Sequence, residues 1–129
     1  MERDLLAVVA EVTARFLDYE RALTAGDLAA MAAAFDRSDD LVRFGITDRQ
    51  RGSSELEAWR SAQPPLPAGR TLAETTVRAF GPDLAVVSTL FTYPGRSFEG
   101  RQSQTWVRLA CGWRIVHAHV SEVPADPHR

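Results

Sequence analysis

The sequence contains no lysine; all fifteen of its basic residues are arginine. A lysine Schiff base and a lysine general base are therefore excluded, and every basic side chain is a permanently charged planar fork. A coding sequence rich in G and C produces the same bias without any functional cause, and the chemical exclusion holds either way. Cysteine is nearly absent as well. Cys111 stands alone, so no internal disulfide can form. Charge of one sign is not in excess: a net −2 gives no electrostatic case for nucleic acid or an anionic membrane. No apolar run approaches the roughly 20 residues that span a bilayer. Met1 is followed by charged residues rather than a cleavable apolar segment, so a cytoplasmic protein is expected. What is present is ordinary. With 129 residues, 45% hydrophobic and 25% charged, the chain reads as one domain over 1–129. Such a domain buries about two-thirds of its unfolded surface.

Leu5, Leu6, Val8, Val9, Val12, Phe16, Tyr19 and Leu23 recur at helical spacing, and Gly26 ends that helix. Asp27 caps a second helix carrying Leu28, Met31 and Phe35. Leu41 to Phe44 reads as a short strand and 47–52 as a charged loop. Ser54-Glu55-Leu56-Glu57 matches a capping box and opens a third helix, which Pro64 and Pro65 stop. Four alternating runs follow, at 70–80, 84–93, 98–109 and 113–123. The breaks at Gly81-Pro82-Asp83, Pro94-Gly95-Arg96 and Ala110-Cys111-Gly112 have hairpin length, so the runs pair antiparallel. Helices ahead of a meander predict an α+β fold, a cone of three N-terminal helices on a strongly curved, mainly antiparallel sheet. Residues 124–129 are expected to fray.

The last two runs are unusually polar for paired core strands. Gln102 and Gln104 share a strand face with Trp106, while Arg101, Ser103 and Thr105 share the other. On the final run His117, His119 and Ser121 alternate in phase with Trp113 and Ile115. Buried polar groups at this density either bond one another or line a polar cavity. A two-residue turn at Ala110-Cys111 would pair Gln102 with His119 and Gln104 with His117. A three-residue turn would instead set the glutamines beside Ala118 and Val120 and the histidines on the Ser103 side. Alternation alone does not choose between them.

Arg43 lies between Val42 and Phe44 on the short strand. A buried guanidinium needs an acidic partner, which is either a substrate carboxylate or an internal acid such as Asp39, Asp40 or Glu74; a strand edge open to water is the other possibility. Tyr19 sits on the apolar stripe of the first helix, as a proton donor to a leaving nitrogen or as a core ring with its hydroxyl at the rim. His119 is a candidate acid or base, or a partner of Ser103 or Ser121 that fixes the sheet. Trp59, Arg70, Gln102, Ser103 and Gln104 complete a candidate binding set: an aromatic cover, a second anion contact and a wall able to donate and accept. Core packing, a surface charge and a cross-strand ladder are their structural counterparts. His117 and His119 have no acidic or third histidine ligand at a matching position, and His128 is in the tail, so no metal is expected. Gln50-Arg51-Gly52 has no nucleotide-binding context. No clearly buried acid is evident, which argues against an isomerase or dehydratase.

Helices ahead of a curled meander resemble the nuclear transport factor 2-like superfamily. Within it, Val42-Arg43-Phe44-Gly45, Arg70-Thr71-Leu72, Phe80 to Asp83, Gly100 to Arg108 and Gly112 to Ser121 resemble the AtzH-like family, over about Tyr19 to Ser121. The run from Gly100 to Trp106 is the specific part. Gln63 departs from the pattern, which leads us to expect a second arginine there. The resemblance implies loss of carbon dioxide from an N-carboxyurea, such as a dicarboxyurea, in ureide or cyanuric-acid nitrogen breakdown. It implies that Arg43 belongs to the site and that no cofactor is needed. The expected partner is a small carboxylate or urea-like molecule. The alternative is a non-catalytic homodimeric module that meets an amidase-type hydrolase through Trp113, Ile115 and the histidine face.

Overall fold

A computed structural model describes residues 1–125 of the chain. Helix α1 (Leu6–Ala25) turns Val8, Val12, Phe16 and Tyr19 inward, and Glu20 is buried beside them. Asp27 accepts a hydrogen bond from the Ala30 amide and opens α2 (Leu28–Ala34), whose Met31 joins Phe35 in the core. Helix α3 (Ser53–Ser61) buries Leu56. The expected capping box does not form, because Gly52 takes the N-cap position and no side chain caps the helix. The Ser53 amide is satisfied instead by the Ser38 carbonyl at 3.0 Å.

The sheet has six strands: β1 (Val42–Phe44), β2 (Arg49–Arg51), β3 (Thr71–Ala79), β4 (Leu84–Thr92), β5 (Phe98–Leu109) and β6 (Gly112–Pro124). Their order is β2-β1-β6-β5-β4-β3, antiparallel throughout except where β1 runs parallel to β6. Residues 49–51, expected to be loop, therefore form an edge strand. Three residues are too few to show alternation, and only Gln50 of the three is buried.

Neither turn alternative describes the β5–β6 hairpin by itself. Leu109 pairs with Gly112 across the two-residue turn Ala110-Cys111, and Trp106 pairs with Ile115. The next pair is Thr105 with His117, so Val116 is an unpaired extra residue, a β-bulge. One extra residue inverts strand parity, so the glutamines face Val120 and Ala118 while Ser103 faces His119. Trp113, Ile115 and Ala118 thus point into the core, whereas His117 and His119 are exposed on the opposite face. An interface uniting Trp113 and Ile115 with the histidines is excluded for that reason. The bulge sits where β6 changes neighbours: Ile115 bridges to Phe35, and two residues later His117 pairs with Val42.

The C-terminal end is tied down further than expected. Pro124 pairs with Phe98, and the Ala125 amide donates to the Ser97 carbonyl at 2.8 Å. The rest of the predicted frayed tail, His128 included, lies outside the described residues. Among those described, no helix is long and apolar enough to cross a membrane.

Candidate functional site

Three arginines are engaged by α1 or α3, each held differently. Arg43, on β1, is only 8% exposed. Its Nη1 donates to Asp48 Oδ2 at 2.8 Å and to Gln50 Oε1 at 2.9 Å, and Gln50 Nε2 donates to the same aspartate oxygen at 2.7 Å. Its flat face lies over the Trp59 ring, 4.7 Å from the centroid. The internal acid is thus Asp48, not Asp39, Asp40 or Glu74. Gly45 makes the pairing possible, since a Cβ there would come within 2.4 Å of the Asp48 carboxylate oxygens. Burial, and after it the nearby Arg60 charge, pushes the Arg43 guanidinium below its ordinary range; Asp48 acts in the opposite sense.

Every nitrogen of Arg70, just ahead of β3, has an acceptor. Nε donates to Glu20 Oε1 at 2.9 Å, Nη1 to the Tyr93 hydroxyl at 3.1 Å, and Nη2 to Gln102 Oε1 at 3.1 Å. The guanidinium also lies 4.2 Å from the Phe91 ring centroid. Burial alone would push it down, but the Glu20 carboxylate and the Tyr93 hydroxyl together more than offset that, and the net direction is up. With every nitrogen engaged, Arg70 has the place of a positioning residue rather than a second anion contact. It orients the Gln102 amide, leaving Nε2 pointing away, buried and without a hydrogen-bond partner.

Arg60, in the last turn of α3, is the third. Its Nη2 donates to the Tyr19 hydroxyl, and the guanidinium lies 5.5 Å from the Phe35 ring centroid. Among the described residues it forms no ion pair, and its Nε is buried without a hydrogen-bond partner. Among the described residues Arg43 and Arg70 thus form ion pairs with two carboxylates, Asp48 and Glu20, and Arg60 with none. A groove of about 270 Å³ opens beside Trp59 and Arg60, walled by Leu23, Met31, Pro65 and Leu66. Among the described residues the two fully buried side-chain atoms without a partner, Arg60 Nε and Gln102 Nε2, are N–H donors. The site is therefore built for an acceptor, and an anionic one suits its charge.

The AtzH-like family matches this chain over residues 1–126. The chain belongs to the AtzH-like family. A cystatin-like fold protein from Burkholderia xenovorans is 46% identical to this AtzH-like chain, covering 98% of it and 99% of its own length, with a TM-score of 0.94. A protein of unknown function from Pectobacterium atrosepticum is 42% identical over 94% of both chains, with a TM-score of 0.91. A nuclear transport factor 2-like superfamily protein from Salmonella enterica is 26% identical over 94% of both, at 0.73. The fold is that of this superfamily. No curated protein matches the chain.

Of the residues expected to form the site of this AtzH-like protein, Tyr19 accepts from Arg60, Arg43 lies over Trp59, and Arg70 donates to Gln102. Gln104 is buried on the same face, but its Oε1 accepts from Trp106 Nε1 at 3.0 Å. Ser103 and His119 are not brought in. Ser103 faces outward by alternation with the glutamines, and the Val116 bulge turns His119 to the same outer face, where it packs edge-on against Phe44 at 5.7 Å. Sequence reasoning missed Glu20, Asp48, Arg60 and Tyr93. Glu20 follows Phe16 by four residues and Arg60 follows Leu56 by four, so both lie on inward helix stripes that periodicity could have flagged. A buried acid is therefore present after all, neutralised by Arg70.

Proposed function

We propose that this protein is a cofactor-free decarboxylase of a small carboxylated urea. The reading rests on one observation: the Tyr19 hydroxyl is held by an unneutralised guanidinium within a buried cluster whose free polar atoms are donors. An N-carboxylate loses carbon dioxide when its nitrogen takes a proton: the C–N bond breaks, its electron pair stays on nitrogen, and carbon dioxide departs. Tyr19 Oη accepts from Arg60, so its own proton is free for the guest nitrogen, and the guanidinium offsets the charge left on oxygen. Solvent water then reprotonates the Tyr19 oxygen, and the hydroxide formed combines with the released carbon dioxide as bicarbonate. Arg43, stacked on Trp59, contributes to the positive field that draws in the acid, and Gln102 Nε2 donates to the urea carbonyl. Gripping the departing carboxylate would stabilise the ground state, so the cations serve the carboxylate that stays.

Carbon dioxide release from 1,3-dicarboxyurea tests this directly. Tyr19→Phe and Arg43→Ala are each expected to lower kcat by about 100-fold or more while the melting transition survives. Wild-type turnover in both variants would refute the assignment.

One observation favours a second reading, a homodimeric module that partners an amidase-type hydrolase. Phe44 is 42% exposed on the outer face, edge-on to His117 and His119. That reading predicts stabilisation by an amidase subunit and none by carboxylates.

A further inference from the structure

We infer that Arg60 is the substrate's carboxylate contact and that it sets the charge class this site accepts. The assignment rests on the reading of the site as a pocket for carboxylated ureas, and it differs from the expectation that Arg43 or Arg70 holds the acid. Arg70 has no nitrogen without a hydrogen bond. Arg43 already carries Asp48 on Nη1. Arg60 alone of the three has no carboxylate partner among the described residues, and its Nε–H is buried with nothing to accept it.

Geometry locates the guest relative to the proton donor. Nε–H and one N–H of Nη2 project along the same edge of a planar guanidinium, the edge that takes a carboxylate side-on. Nη2 already carries the Tyr19 hydroxyl. The Nε half is unfilled, so an oxygen bound there lies next to the tyrosine hydroxyl. Arg60 therefore binds an anionic oxygen and holds the Tyr19 phenol against the same guest. It also lines the groove beside Trp59, so the residue that carries the unpaired Nε–H borders solvent-accessible space. Arg43 sits within electrostatic range as a like charge, so an anion at Arg60 relieves the repulsion between the two.

Calorimetric titration with malonate and with neutral biuret separates this assignment from the reading beneath it. Wild-type protein is expected to bind both. Arg60→Gln should weaken malonate by about tenfold or more while biuret affinity changes less than about twofold. Arg60→Lys keeps the charge but lacks Nε–H; it should also lose malonate affinity, and it carries the test if the glutamine variant does not fold. Unchanged malonate affinity in a folded Arg60 variant overturns the assignment and leaves the pocket reading standing. Failure of the wild type to bind malonate, biuret or 1,3-dicarboxyurea overturns both.

Discussion

Glu20 and Gly45 show how single residues hold this cluster in shape. The Glu20 and Arg70 side chains are only 9% and 4% exposed, so their charges depend on each other. Removing one member of a buried pair leaves the other without a counter-charge, at a cost of about 3–5 kcal/mol. Glu20→Gln is expected to lower the urea midpoint accordingly, and a change below about 1 kcal/mol would show the pair to be solvated. Gly45 acts through the space it leaves as well as through its amide, which donates to the Asp48 carbonyl at 2.8 Å. Gly45→Ala drives a methyl into the Asp48 carboxylate, so the Asp48–Arg43 pair should open while the sheet persists. A crystal structure of the variant with that 2.8 Å contact intact would contradict the account. Gly100 plays a similar part, since a Cβ there would strike the Phe91 ring on which Arg70 stacks.

The Val116 bulge decides more about β6 than any side chain it carries. It lets one strand present Ile115 to the core and His119 to solvent, although the two are four residues apart and would share a face in a regular strand. Deleting Val116 should therefore preserve every pairing beyond Thr105 and keep both histidines outside. Stability should drop, because Phe35 and Val42 would have to close up to the shortened spacing. Diethyl pyrocarbonate should still modify His117 and His119 in that variant; protection of either would refute the parity argument. The N-terminal segment is held by different means. The Asp4 carboxylate accepts from Arg78 and from the Ala79 amide, and these bonds, Arg78 first, hold it below its usual 3.8. A carboxyl depressed by folding contributes stability above its unfolded value and loses it as pH falls through the folded one. Wild type should thus exceed Asp4→Asn in stability at neutral pH, and the gap should close below about pH 4. A gap that stays constant from about pH 6 down to about pH 2.5 would show that the carboxylate is not linked to folding.

At the scale of the molecule, α1, α3 and the concave face of the sheet place three permanent cations against two acids. A buried donor left unpaired costs about 1–3 kcal/mol, and here Arg60 Nε and Gln102 Nε2 both stand unpaired. Such a site is less stable empty than filled. Saturating malonate should raise the melting temperature, because a ligand that binds only the folded state stabilises it by mass action. At 100 times its dissociation constant the gain is about 2.7 kcal/mol. High salt should weaken the effect, whereas any stabilisation by neutral biuret should be far less sensitive to salt.

The helices and the four long strands were legible because their periods, 3.6 and 2, are written into the order of apolar residues. Asp27 and Gly26 marked helix ends by chemistry that acts within a turn. Arg43, Tyr19 and Gln102 were legible as polar groups on faces that had to be buried. Tertiary structure alone decided their partners. Asp48 meets Arg43 through a turn between two three-residue strands, too short to carry a pattern. Glu20 meets Arg70 across 50 residues and Arg60 meets Tyr19 across 41, distances over which sequence order carries no positional information. The faces of His117 and His119 turned on one bulged residue, since strand parity is a running count that a single insertion reverses. Local periodicity thus determined which groups would be buried, and chain topology determined which of them would be left with an open hydrogen bond.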